Sequence, residues 1–115
     1  MNHMSVYLKN KLLTDNLRTT PVYVALFNND VEIAQPSYKR QAVSFIEPVD
    51  GQTSNNADVS FPIATESWGT ISHIGIYDSA TEGNLLFKSP SEFLETINIS
   101  NQYSIPKNYL INRLK

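Results

Sequence analysis

The chain changes its hydrophobic period at Pro21, and this change restricts the folds that it can adopt. Before Pro21 the apolar residues recur at helical spacing, whereas after it short apolar runs alternate with polar residues. Turn-forming residues separate these runs at intervals of roughly 8 to 12 positions, and no helical crossover lies between them. The pattern predicts a mainly β chain: a single antiparallel β-sandwich of about seven or eight short strands, preceded by one short N-terminal amphipathic helix.

The length of 115 residues suits one domain with one core. An apolar fraction of 41% and a charged fraction of 17% are typical of a compact fold and not of disorder. We expect two parts in the chain: a helical docking segment over residues 1–20 and a β-sandwich domain over residues 21–115.

The helix is predicted between Ser5, a good N-cap, and Arg18. Pro21 ends the segment, since the residue before a proline avoids the helical region. The helix either packs on its own domain or docks into a neighbouring subunit. The candidate interface consists of its apolar residues: Val6, Leu8, Leu12, Leu13 and Leu17.

The strands are predicted, in chain order, at residues 22–27, 39–46, 59–63, 71–77, 85–87, 93–99, 103–105 and 109–114. The first is apolar at six consecutive positions, as expected of a strand covered on both faces. Alternation places Val59, Phe61 and Ile63 on one face, and Pro62 marks their strand as an edge. Residues 48–56 are rich in turn formers and are predicted to be a long loop. Either the helix or this loop is expected to give partner specificity.

Five residues are predicted to have structural roles: Arg40, Trp68, Gly69, Gly75 and Asp78. Arg40 heads a strand and is expected to pair with Glu32 or Asp78. Trp68 is expected to fill one end of the sandwich, and the glycine after it to give the turn its freedom. Gly75 marks a bulge or the close approach of another chain.

Residues that carry chemistry are few. The chain has no cysteine and only two histidines, His3 near the N-terminus and His73 in a predicted strand. Neither has the neighbours that a metal site needs, and no motif of a serine hydrolase or a phosphate-binding loop is present. We therefore predict no cofactor, no metal site and no enzymatic activity.

The partners that remain are proteins. A net charge of −2 disfavours nucleic acid, and no apolar run is long enough for a membrane span. No signal-peptide pattern is present, so synthesis in the cytoplasm is expected. Exposed sheet edges and abundant tyrosine favour an assembly component, since tyrosine is enriched in interfaces. The tyrosines are Tyr7, Tyr23, Tyr38, Tyr77, Tyr103 and Tyr109.

Four ordered blocks resemble a known family of small tailed-bacteriophage virion proteins, usually called phage tail fibre proteins. Residues 38–45 (YKRQAVSF) are similar to that family's YARQAVTF segment, and residues 56–62 (NADVSFP) to its NxADVxFP. Residues 67–78 (SWGTISHIGIYD) resemble its WGTVTH block, and residues 83–87 (GNLLF) its GNLL run. The opening helix and residues 21–27 also fit, so the resemblance covers nearly the whole chain.

The sequence departs from the family pattern in three places. The glycine-rich turn before the Tyr-x-Arg motif is replaced by residues 34–37 (AQPS), and a Gly-Asp near the last hairpin by Asn101-Gln102. The closing apolar and threonine alternation is interrupted by Asn112 and Arg113. These changes bear on the geometry of the final hairpin.

The resemblance implies a structural component of a tailed-phage virion: a tail fibre, a neck or tail adaptor, or a related assembly protein. It implies protein–protein contacts with other virion proteins and a homo-oligomer, a closed ring or trimer, in the virion. The alternatives are a host receptor or carbohydrate-binding module at a fibre tip, and a capsid decoration protein. In the carbohydrate-binding alternative, Trp68, Tyr77 or Tyr103 would stack on the sugar.

Overall fold

Regular structure in residues 4–114 consists of one helix and nine strands, as a computed structural model describes them; the side chains of residues 92 and 93 are outside this description. The elements are α1 (Val6–Leu17), β1 (Val22–Asn28), β2 (Val31–Glu32), β3 (Gln41–Val43), β4 (Gln52–Ser54), β5 (Val59–Ser60), β6 (Gly69–Tyr77), β7 (Leu85–Ile97), β8 (Ser104–Ile105) and β9 (Ile111–Arg113). Every strand pair is antiparallel. The predicted fold class is confirmed, although the described residues contain more strands than expected.

Helix α1 begins and ends where the sequence predicts. The Ser5 hydroxyl accepts a hydrogen bond from the Leu8 amide at 3.1 Å, and Arg18 is the C-cap. Leu13 and Leu17 are fully buried in the same core cluster as the β residues. The helix therefore packs on its own domain, the first of the two alternatives.

The main sheet has the strand order β2-β1-β6-β7, and β3 pairs with the first half of β1. Strand β1 is buried on both faces, as its continuous apolar sequence predicts: Val22, Val24 and Leu26 lie on one face, and Ala25 and Phe27 on the other. This central strand fixes the positions of β6 on one side and of β2 and β3 on the other.

Strand β7 corrects the prediction of two separate strands at residues 85–87 and 93–99. The residues between them read as a turn because Ser89-Pro90-Ser91 contains turn formers. Within residues 4–114, however, β7 pairs only with β6, so it is the edge of the sheet, where a proline is tolerated. Shifts of register between Ile71 and His73 and between Ile76 and Tyr77 accommodate the irregularity.

The predicted long loop at residues 48–56 is also corrected, because it contains strand β4. Strand β4 pairs with β9, and its Thr53 and Ser54 are buried, as is Asn55 directly after it. Asn55 satisfies its own polar groups: its amide donates to the carbonyl oxygens of Ala57 and Pro106, and its side-chain oxygen accepts from the Leu110 amide. Within residues 48–56, Val49, Asp50 and Asn56 are left exposed to contact a partner.

Among the described residues, strand β5 pairs with β8 alone, in line with the edge strand predicted from Pro62. The placement of Ile63 on one face with Val59 and Phe61 was wrong, since those two are buried whereas 58% of Ile63 is exposed. The strand ends at Ser60, and the following irregular segment buries Ala64 instead. The core lies between the main sheet, these small sheets and the helix.

Gly51 links the two ends of the chain. Its amide donates to the Asn10 side-chain oxygen at 2.8 Å, and its carbonyl accepts from the Leu114 amide at 2.9 Å. A Cβ atom at this position would lie 2.8 Å from the Lys9 side chain, and φ is +76°, so glycine is required here.

Candidate assembly surface

Arg40 and Glu32 form a largely buried ion pair. The guanidinium donates from Nε to Glu32 Oε2 and from a terminal nitrogen to Oε1, both at 2.8 Å. This bidentate geometry is the strong form of an arginine–carboxylate pair. Of the two acids that the sequence offered to Arg40, the structure pairs it with Glu32 and not with Asp78.

Tyr38 completes this network. Its hydroxyl donates to Glu32 Oε2 at 2.6 Å and accepts from the Leu26 amide at 3.0 Å. It therefore pairs the Leu26 amide, which lies in β1 between the residues that pair with β3 and those that pair with β2. Sequence reasoning missed this role, although Tyr38 and Arg40 stand two positions apart, as residues on one side of an extended chain do.

Arg40 also holds the loop between β6 and β7. Its remaining nitrogen donates to the carbonyl oxygens of Ser79 and Glu82, at 3.0 and 2.7 Å. The guanidinium carbon lies 3.6 Å from the centroid of the Tyr77 ring, a cation–π contact. The Arg40 side chain thus contacts the loop itself through hydrogen bonds and the end of β6 through the ring of Tyr77.

Asp78 holds the same loop from within. Its carboxylate accepts from the Asn84 amide at 2.7 Å and from the Asn84 side chain at 3.0 Å. These bonds, and the charge of Arg40, lower the pKa of Asp78. Gly83 has a φ of +74°, and a Cβ there would meet Asp78 Oδ1 at 2.5 Å. The loop is therefore a fixed turn.

The pKa values of the central network follow from its geometry. Partial burial raises the pKa of Glu32, but hydrogen bonds from Arg40 and Tyr38 outweigh it and leave the pKa below its ordinary value. The bond to Glu32 raises the pKa of Arg40. Burial and the same carboxylate raise the pKa of Tyr38. All three groups keep one charge state at neutral pH, so the network is structural.

A second polar cluster surrounds Trp68, which is buried as predicted. The indole Nε1 donates to the Ser37 hydroxyl at 2.9 Å, and the Ser37 hydroxyl and amide both donate to Glu66. The Thr65 hydroxyl donates to the other Glu66 oxygen at 2.5 Å. Hydrogen bonds from Ser37, then from Thr65, lower the pKa of Glu66 to about 2.

Both predicted glycines stand where a side chain is disfavoured. Gly69 has a φ of +83° at the start of β6. At Gly75 the reason is space: a Cβ would lie 2.7 Å from Phe27 Cε1 and 3.0 Å from Leu85 Cδ1. The register shifts of β6 fall at other residues, so Gly75 does not mark a bulge. The groups that approach it closely are side chains of its own chain, and the predicted approach of another chain stays a prediction.

The candidate interface on the helix divides into two groups. Leu13 and Leu17 lie in the core, so their assignment to an interface was wrong; they occupy the inner face of a helix that packs on its own sheet. The outer group stays open to a partner. The exposed fractions are 50% for Val6, 76% for Tyr7, 40% for Leu8 and 36% for Leu12. Tyr7 was not among the predicted interface residues, although it lies next to two of them.

The aromatic residues suggested for sugar stacking are not available. Trp68 and Tyr103 are buried, and Arg40 covers the ring of Tyr77. His73 is a strand residue whose Nδ1 lies 2.9 Å from the Ser72 hydroxyl, whereas His3 is outside the described residues. Among the side chains described, no three of His, Asp or Glu form a group that could hold a metal ion.

Over residues 4–114, no helix has both the length and the apolar character needed to cross a membrane. The fold and the site define a small, mainly β protein whose buried polar residues fix its loops. A family model described as "Podophage GP4 fiber I protein gp80" matches residues 3–113, and the chain belongs to this family. It is thus a bacteriophage fibre protein with a structural role in the virion. No curated protein matches the sequence.

Proposed function

We propose that this fibre protein is a non-enzymatic virion component that assembles through protein–protein contacts made by the outer face of α1. The observation that supports this proposal is the division of the helix. Leu13 and Leu17 anchor it in the core, while Val6, Tyr7 and Leu8 are exposed on its first turn. An apolar group next to a buried anchor is available for docking and held in position.

The rest of the fold supports the same function. The buried Arg40–Glu32 pair fixes the loop at residues 78–84 and the adjoining strands, which makes this part of the domain rigid. A rigid surface loses little conformational entropy when it binds a neighbouring subunit. We include in the proposal a homo-oligomer with closed symmetry and synthesis in the host cytoplasm.

The test replaces the exposed apolar residues of the first helical turn with serine. Phage particles are produced with the triple variant Val6→Ser, Tyr7→Ser, Leu8→Ser, and fibre density is counted by cryo-electron microscopy. The matched control is the triple variant Val31→Ser, Ile63→Ser, Ile99→Ser, whose sites are 69%, 58% and 65% exposed. We expect the helix variant to be lost from particles and the control to be retained, with both purified proteins folded by circular dichroism.

Wild-type occupancy of a folded helix variant overturns the proposal. Loss of the control variant alone would instead place the docking surface at one or more of Val31, Ile63 and Ile99. A folded helix variant that is absent from the particle supports the helix as the docking element.

A further inference from the structure

A hollow of about 210 Å³ lies between the main sheet and the segment that carries β8. Strands β6 and β7 contribute Ile74 and Glu95, and the facing segment contributes Tyr103, Pro106, Tyr109 and Leu110. Its walls are mainly apolar, with a small number of polar groups among them. Concave sites of this composition are where proteins bind ligands or side chains.

Glu95 is the charged group of this hollow. It is paired with Ile71 across the β6–β7 ladder, so it shares the face of the sheet that carries the buried Ile71 and Ile97. No residue of the described part donates a hydrogen bond to its carboxylate or forms an ion pair with it. Glu95 is itself exposed, so its carboxylate lies at the open side of the hollow, where a basic group can reach it.

Tyr103 is the second polar group without a partner. Only 6% of the residue is exposed, but its hydroxyl forms no hydrogen bond within residues 4–114 and is not among the fully buried atoms, so the oxygen is accessible to solvent. Burial and then the charge of Glu95 raise the pKa of Tyr103 to about 12. The hydroxyl is therefore neutral, close enough to sense the carboxylate, and free to bind.

Tyr109 supplies an aromatic surface at the mouth of the hollow, since 67% of it is exposed. The turn that carries it is fixed by the hydrogen bond from the Tyr109 amide to the Pro106 carbonyl, at 3.1 Å. A ring next to a carboxylate favours a cation, because the ring face and the carboxylate both attract positive charge.

We propose that this hollow receives an arginine or lysine side chain from a neighbouring virion subunit, an inference that rests on the proposed assembly function. Both unpartnered groups are oxygen atoms, and a guanidinium or ammonium group presents only hydrogen-bond donors. The apolar walls match the aliphatic part of such a side chain, as Lys and Arg bury this part while their charged group binds. The unbalanced charge of Glu95 selects a basic partner over a neutral one.

The binding test uses small probes on the whole protein. Isotope-labelled protein is titrated with N-acetyl-arginine amide and with the neutral isostere N-acetyl-citrulline amide, and amide shifts are followed by NMR. We expect the arginine probe to shift residues around Tyr103 and Tyr109, with an affinity at least about tenfold above that of citrulline. Glu95→Gln should remove this preference. Glu47→Gln, an exposed acid outside the hollow, should keep it.

Equal binding of the two probes, or an arginine preference that survives in Glu95→Gln, overturns the proposal. So does binding of monosaccharides at the same residues in place of the arginine probe, which would make the hollow a sugar site. Particles made with Glu95→Gln give the second readout. If the probe binds but these particles keep full fibre occupancy, the basic partner side chain is refuted, while docking through α1 is judged separately by the helix variant.

Discussion

Arg40 connects strand β2 to the loop between β6 and β7. It binds Glu32 through two nitrogens and the 78–84 loop through a third, and its side chain is only 7% exposed. An isolated surface pair contributes little to stability, whereas removing one member of a buried pair leaves an uncompensated charge. The geometry of Arg40 belongs to the second case.

Arg40→Met is therefore expected to lower the free energy of unfolding by about 3 kcal/mol. Chemical denaturation measures the change, and a double-mutant cycle with Glu32→Met gives the control. The double variant should be more stable than the sum of the single losses predicts, because it removes both charges. Additive losses would show that the pair is not coupled.

Gly75 depends on space and not on backbone conformation. Gly75→Ala places a methyl group 2.7 Å from Phe27, and we expect a loss of about 1 to 3 kcal/mol from overpacking. Ser89→Ala, at an exposed site of the neighbouring strand, is the control and should change stability by less than about 0.5 kcal/mol. A neutral Gly75→Ala variant would mean that Phe27 moves aside at little cost.

Helix α1 is part of the core as well as a surface element. Leu13→Ala is expected to cost about 2 to 5 kcal/mol, because Leu13 is fully buried, whereas Leu8→Ala, at a site that is 40% exposed, should cost less. Thermal unfolding of both variants tests this difference. For the same reason, deleting residues 1–18 should destabilise the β-domain, contrary to the separable docking segment that the sequence suggested. Equal melting temperatures for the two variants would contradict the anchored helix.

Hydrogen bonds from Ser37 and Thr65 to the Glu66 carboxylate link two loops. Their contribution to stability depends on the protonation state of Glu66. Its pKa is lowered from 4.5 to about 2, so this contribution to stability is complete above pH 4.5 and is lost as the pH falls toward 2. Glu66→Gln should flatten the fall in stability over this range, as followed by urea denaturation between pH 5.5 and 2. The carboxyl carbon of Glu66 should titrate near pH 2 in NMR. A midpoint near 4.5 would contradict the hydrogen bonds to Ser37 and Thr65.

Elements with a clear period were predictable, and elements defined by their partners were not. The apolar run of β1 and the cap of α1 carry local signals, and both were placed correctly. Strand β4 and the residue after it have no local signal, since Thr53 and Asn55 are polar and are buried only because distant groups bind them. The continuity of β7 through Pro90 likewise depends on its place at the sheet edge.

At the scale of the whole molecule, the candidate sites required distant contacts to become visible. The pairing of Arg40 with Glu32 was within reach of sequence reasoning because both flank the same turn region. The division of α1 into anchors and exposed residues required the position of the sheet. The hollow joins Glu95 of β7 with Tyr103 and Tyr109 from the far side of the core, and no spacing in the sequence brings these three together.

Gly51 gives the molecule a particular response to mechanical force. Its amide is bound to the helix near the start of the chain and its carbonyl to Leu114 near the end. A load that pulls the two ends apart would therefore meet these two hydrogen bonds and the short β4–β9 ladder before it reached the longer ladders of β1, β6 and β7. In a fibre under tension the two terminal segments would therefore detach first. The main sheet, which the Arg40–Glu32 pair stabilises, would stay folded.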